Sequence, residues 1–143
     1  MTFREKDIKS GIVVISSFKE SSIWLHSGII SVENGVPYLY DNDPDSPLND
    51  DGGSVRRILL SEHLKKYDII EFYDSGMTSN EIKKQVKKYW NKKFNYFTFN
   101  CEQFIKKITG ENIKRKRWHP AGIIVTLVSA FSIIIARSIK LNA

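Results

Sequence analysis

A chain of 143 residues has room for one compact domain and little else. With 41% hydrophobic and 12% aromatic residues wholesale disorder is excluded, and a single cysteine excludes both an internal disulfide framework and a multi-cysteine zinc site. The net charge of +6 is unevenly placed: residues 83–117 hold twelve Lys or Arg against Glu102 and Glu111, a local +10 that leaves the remainder at −4. Such a stretch serves nucleic acid, an anionic membrane or a solvated helix face.

The opening, Met1 to Ser10, carries Arg4, Glu5, Lys6, Asp7 and Lys9, too much charge for a secretory signal. A lone thiol fits a reducing compartment. Gly11 to Ser16 (GIVVIS) is a short run rich in β-branched residues and predicts a strand. Ile23–Val32 and Val36–Asp41 flank Asn34-Gly35, the strongest two-residue hairpin signal. The stretch 41–53 is dense in Asp, Asn, Pro and Gly and reads as a surface loop. Val55–Leu60 returns as a strand, Ser61–Tyr67 reads as a short helix that puts His63 on a solvated face, and Asp68–Tyr73 as another strand.

Thr78 and Glu81 form a capping box for a helix over 78–91, with Ile82, Val86, Tyr89 and Trp90 on one face and Lys83, Lys84, Lys87 and Lys88 on the other. A second helix runs from an Asn100 cap to Gly110, with Cys101, Phe104, Ile105 and Ile108 along its apolar stripe. Beyond it, 121–136 reads AGIIVTLVSAFSIIIA, sixteen residues without a charge. That is short against the ~20 residues of a full span, but no polar residue recurs at helical spacing to mark a wet face. Lys114, Arg115, Lys116, Arg117 and Trp118 precede it as a positive-inside flank with an interfacial aromatic would. We expect a C-terminal membrane anchor over 118–143, a domain over 1–117 on the cytosolic side, and an anionic membrane as partner for the basic residues of 106–117.

Cys101 falls in the first turn of its helix, where backbone N–H groups and the dipole favour the thiolate. Its bland alternative is a small apolar residue in the stripe. Asn100-Cys101-Glu102-Gln103-Phe104, preceded by Tyr96, Phe97 and Phe99, resembles the Asn-Cys-Glu-His-Phe signature of the lecithin–retinol acyltransferase-like family. Ile23-Trp24-Leu25-His26-Ser27-Gly28-Ile29-Ile30-Ser31-Val32 resembles that family's histidine strand. The resemblance, over roughly 8–139, implies a permuted papain-like (NlpC-like) fold in which histidine precedes cysteine. It also implies a Cys101 nucleophile, a His26 base and a lipid or acyl substrate. Gln103 stands where the family has histidine, and no second histidine lies on the following strand to orient His26.

Asp41 is a candidate for that missing role. If Asn34-Gly35 is a two-residue turn, Glu33 pairs with Val36, Gly28 faces Asp41 and His26 faces Asp43. Side-chain alternation then puts His26, Gly28, Asp41 and Asp43 on one face, with Tyr38 and Tyr40 on the other. A one-residue change of turn would instead leave Asp41 as the first acid of the loop. Asp41, Asp43 and Asp45 echo a calcium loop, but Ser46 and Gly52 stand where that loop needs Gly and Glu, and no metal is expected.

The expectation is therefore an α+β fold, an antiparallel sheet packed against helices, plus a C-terminal transmembrane helix. Its function would be a thiol acyl hydrolase or acyltransferase acting on lipid ester or amide bonds, with Cys101, His26 and Asp41 as catalytic residues. No cofactor and no nucleic-acid partner are expected. A peptidase or amidase of the same fold, or a catalytically inactive membrane-anchored interaction module, are the alternatives.

Overall fold

The computed structural model describes residues 3–44 and 53–113. Within them the chain is α+β: one five-stranded antiparallel sheet with three α-helices. Strands β1 (Ile12–Phe18), β2 (Ser21–Glu33), β3 (Val36–Asp43) and β4 (Ser54–Leu59) follow one another as a meander. Helix α1 (Leu60–Lys66) then carries the chain to the far edge, where β5 (Tyr67–Asp74) pairs with β1, giving the order β4-β3-β2-β1-β5. Helices α2 (Ser79–Lys87) and α3 (Cys101–Thr109) complete the described domain.

The β2–β3 hairpin has the expected register. Asn34 and Gly35 both take positive φ, 50° and 81°, as a type I′ turn requires, and the strands pair from Glu33–Val36 to Gly28–Asp41. Pairing then stops. The expected His26–Asp43 pair does not form, because β2 continues alongside β1 (Ser16 opposite His26) while β3 continues alongside β4 (Asp43 opposite Ser54). The sheet is thus notched between β2 and β3, and the candidate site lies at that notch.

Both faces of the sheet are covered, so the central β1 run is apolar without alternation. Val13, Ile29, Tyr40 and Val55 pack beneath Ile82 and Val86 of α2 and Phe104, Ile105 and Ile108 of α3. On the opposite face Ile12, Val14, Ile30 and Leu39 pack with Leu60 and Leu64 of α1 and with Phe3 and Ile8. Alternation assigns His26, Gly28 and Asp41 to this second face and Ser27 and Tyr40 to the first, as expected for Tyr40.

Helix ends follow their caps. The Thr78–Glu81 box starts α2, which closes at Lys87, short of the expected Asn91; Trp90 lies beyond it and is 40% exposed. Asn100 caps α3, and Gly110 ends it at φ 76° in the left-handed region. His63 corrects the expectation of a solvated position: it is 2% exposed, because α1 turns its ring inward to bond Ser16 on β1. The expected anchor at 118–143 lies outside the described residues, and among those described no helix is long and apolar enough to cross a membrane.

Gly28 leaves no room for a side chain, since a Cβ would stand 2.8 Å from Leu39 Cγ and 3.0 Å from the Tyr40 carbonyl oxygen. Gly28→Ala should therefore cost about 1–3 kcal/mol by overpacking. A thermal melt should show the Tm falling; an unchanged Tm would mean that Leu39 yields freely.

Candidate active site

The site is built from the notch outward. His26 extends from β2, and its Nε2 lies 2.8 Å from Oδ2 of Asp41 on β3. The aspartate is fully buried and also accepts from Arg56 of β4, Nε to Oδ1 at 2.8 Å and Nη2 to Oδ2 at 3.1 Å. Arg56 stands directly opposite Asp41 in the β3–β4 ladder, and its guanidinium also pairs with Asp43. Asp41 thus holds a histidine with one oxygen and a bidentate arginine with both.

Cys101 reaches the same histidine from the other face of the sheet. It is the first residue of α3, whose position is set by the Asn100 cap: Asn100 Oδ1 accepts from the Glu102 and Gln103 N–H groups, each at 3.0 Å. Gln103 returns the contact, Oε1 to the Asn100 N–H at 2.8 Å, and its Nε2 donates to the Phe97 carbonyl at 2.7 Å. Gln103 is thus a capping residue. Asn42 ties the helix entrance to β3 by donating to the Phe99 carbonyl at 2.6 Å. The thiol lies near enough to His26, and to the Ser27 hydroxyl and N–H, for both to favour its thiolate form. The buried Ser27 Oγ has no hydrogen-bond partner among the described residues. Because Nε2 is engaged by Asp41, Nδ1 is the nitrogen available to the thiol.

The charges reinforce one another. Burial alone would push the His26 imidazolium to lower pKa, but the Asp41 carboxylate and then the Cys101 sulfur raise it from 6.5 to about 10. Burial would raise the Cys101 thiol, yet its bond and attraction to His26, with Ser27 adding to them, bring it below its usual 9.0. Burial works on Asp41 in the same way; His26 and then Arg56 hold it below 3.8. The arrangement therefore favours a thiolate–imidazolium pair backed by a carboxylate, the protonation state of an activated cysteine nucleophile.

All three residues expected from the sequence are brought together. Arg56, Ser27 and Tyr67 are not among the candidates the sequence offers, and His63 is placed by it on a solvated face. Ser27 could have been, as the neighbour of His26 on the opposite side of the strand. Arg56 could not, because its pairing with Asp41 depends on a register set across the 44–53 connection, which no short turn fixes. His26, Asp41 and Asp43 offer ligand atoms within 4.8 Å of one another, but Arg56 already supplies the cation between the two carboxylates. No family model matches this chain, and no significant match is found among curated proteins or solved structures.

A second histidine backs the first. His63 donates to or accepts from Ser16 Oγ at 2.9 Å through Nε2 and stacks on Tyr67 with centroids 4.6 Å apart and planes 7° apart. Tyr67 in turn lies 5.4 Å from the His26 ring. Burial, and then repulsion from His26, push the His63 pKa from 6.5 down to about 3. The unfolded chain therefore binds a proton at His63 between about 3 and 6.5 that the folded chain does not, and stability falls as pH drops through that interval. His26 acts oppositely: its raised pKa gives stability that is full below 6.5 and is lost as pH rises toward about 10. His63→Gln should weaken the fold near neutrality yet flatten its decline from pH 6.5 to 4, measured as Tm against pH. Parallel profiles for both proteins would show that His63 charges freely in the fold.

Proposed function

We propose that this chain is a cysteine-dependent acyl hydrolase or acyltransferase of the lecithin–retinol acyltransferase-like kind, acting on lipid ester or amide bonds at a membrane surface. The observation that carries the reading is the Cys101–His26–Asp41 chain of contacts, a nucleophile, base and orienting carboxylate assembled from α3, β2 and β3. The finer fold, a permuted papain-like (NlpC-like) domain, is read from the same order, with histidine on an early strand and cysteine on a later helix. The anchor at 118–143 and a cytosolic position for the domain remain part of the proposal on sequence grounds.

The chemistry follows from the geometry. The Cys101 sulfur, its proton passed to His26, attacks the acyl carbonyl carbon; a C–S bond forms and the carbonyl electrons move to oxygen. The Cys101 N–H is not taken up by the Asn100 cap, and with the Ser27 hydroxyl it is a candidate donor to that oxyanion. As the tetrahedral intermediate collapses, the imidazolium gives its proton to the departing alcohol or amine and an acyl thioester remains. Water or an acceptor amine or alcohol then loses its proton to His26, attacks the thioester and releases the thiolate. Asp41 holds Nε2–H throughout, so Nδ1 alone exchanges protons with the reacting atoms.

Incubation with a phospholipid or a short-chain activated ester should add one acyl group to the intact protein, seen by mass spectrometry and lost in Cys101→Ala. Acylation that persists in Cys101→Ala would overturn the assignment. Asp41→Asn should lower kcat by orders of magnitude, on the scale of ~10⁴ seen when a triad carboxylate is neutralised. It should also shift the thiol-alkylation profile toward the ordinary cysteine range, because the imidazolium loses its partner; an unchanged rate and profile would remove Asp41 from the mechanism.

Ser27→Ala should reduce kcat by about 10²-fold or more if the hydroxyl serves the oxyanion. KM should change little. A rise in KM alone would make Ser27 a binding contact instead.

A further inference from the structure

The segment between α2 and the thiol is exposed where a folded chain ordinarily is not. Phe97 is 88% exposed and Tyr96 66%, side by side on a loop tip. The loop is not slack: Asn95 Oδ1 accepts from the Phe97 and Thr98 N–H groups at 3.0 and 2.9 Å, Asn95 and Phe99 exchange two backbone bonds, and Asn100 Nδ2 donates to the Tyr96 carbonyl at 3.0 Å. Gln103 holds the Phe97 carbonyl. The tip is therefore fastened to the two residues that form the reciprocal cap around Cys101, and its rings are held out toward solvent.

Positive charge flanks it in the sequence. From 83 to 107 the sequence carries eight lysines, one acid (Glu102) and no arginine. Lys87, Lys88, Lys92, Lys106 and Lys107 are exposed. Two of these lysines join α2, α3 and the loop: Tyr89 and Phe99 pack at 5.9 Å, with Lys92 4.4 Å from the Phe99 ring and Lys107 5.9 Å from that of Tyr89.

We infer that the Tyr96–Phe97 tip and its flanking lysines form a docking surface for anionic lipid, with the two rings entering the interface and the lysines lying on the headgroups. An exposed aromatic pair on a loop flanked by exposed lysines matches that boundary in both polarity and charge. Nucleic acid would also meet positive charge and a ring to stack on. Its recognition draws on arginine for bidentate and stacked contacts, however, whereas a lysine-only patch suits a diffuse anionic surface. The inference deepens the proposed function and rests on it for purpose: docking at Phe97 brings the thiol, four residues on, to the bilayer surface.

The test uses the full chain with Cys101→Ser, so that it is independent of turnover. In that background Phe97→Cys is the only thiol and takes an environment-sensitive nitrobenzoxadiazole label; Ser61→Cys, exposed on α1, is the control site. On phosphatidylcholine vesicles containing phosphatidylserine, the label at 97 should shift to the blue and brighten, while the label at 61 stays water-like. Adding Lys87→Gln, Lys88→Gln and Lys92→Gln should weaken the titration by on the order of tenfold or more. A water-like label at 97 on these vesicles would overturn the inference. So would an equal shift on phosphatidylcholine alone, or a shift with single-stranded RNA in the absence of lipid. Absence of acylation in the chain with Cys101 intact, alongside this shift in the labelled variant, would sink the proposed enzyme and leave the docking surface standing.

Discussion

A carboxylate with no solvent exposure, Asp41, sits at the centre of this sheet, and the neighbouring structure is arranged so that its charge is tolerated there. An unpaired ion at such depth would neutralise itself or unfold the strand. Two cations prevent this: Arg56 from β4 takes both oxygens and the His26 imidazolium takes one. The same contacts do three jobs. They pin the β3–β4 register at the Asp41–Arg56 pair, hold the His26 ring by Nε2, and favour a protonated imidazole beside a sulfur.

The notch between β2 and β3 is the geometric counterpart of that arrangement. Had the two strands stayed paired beyond Gly28–Asp41, His26 would have stood opposite Asp43 and been shut on its own face of the sheet. Instead β2 remains with β1 and β3 with β4, and the N-terminus of α3 meets an imidazole that alternation assigns to the opposite face. Ser27 and His26, adjacent in sequence and opposite in direction, both touch Cys101 for this reason. The Tyr67–His63 stack closes the far side of the imidazole, and His63, its pKa held down to about 3, adds no competing positive charge near neutral pH.

On the proposed reading, the catalytic group and the membrane-facing group belong to one rigid unit. Asn100 and Gln103 cap the helix that presents Cys101, and the same two side chains hold the carbonyls of Tyr96 and Phe97. The Gln103 amide, which both donates and accepts, can make both of these contacts at once.

How much was legible beforehand follows the range of each interaction. Local chemistry was readable: Asn34-Gly35 dictates a tight turn with two positive φ values, that turn dictates the register, and the register places Asp41 diagonal to His26. Asn100, Gly110 and the Thr78–Glu81 box marked helix ends to within a residue or two wherever a cap decides them; the C-terminus of α2, where none does, was misplaced. What the sequence could not show was anything joined across the long 44–53 connection or between elements distant in the chain. Arg56 finds Asp41 only through strand pairing with no turn signal, and His63 is buried only because α1 crosses the sheet with that side inward. The meeting of Cys101 with His26 was guessed from resemblance. It comes about through tertiary structure, because a strand that parts from one neighbour and stays with the other leaves an opening that no local pattern of residues records.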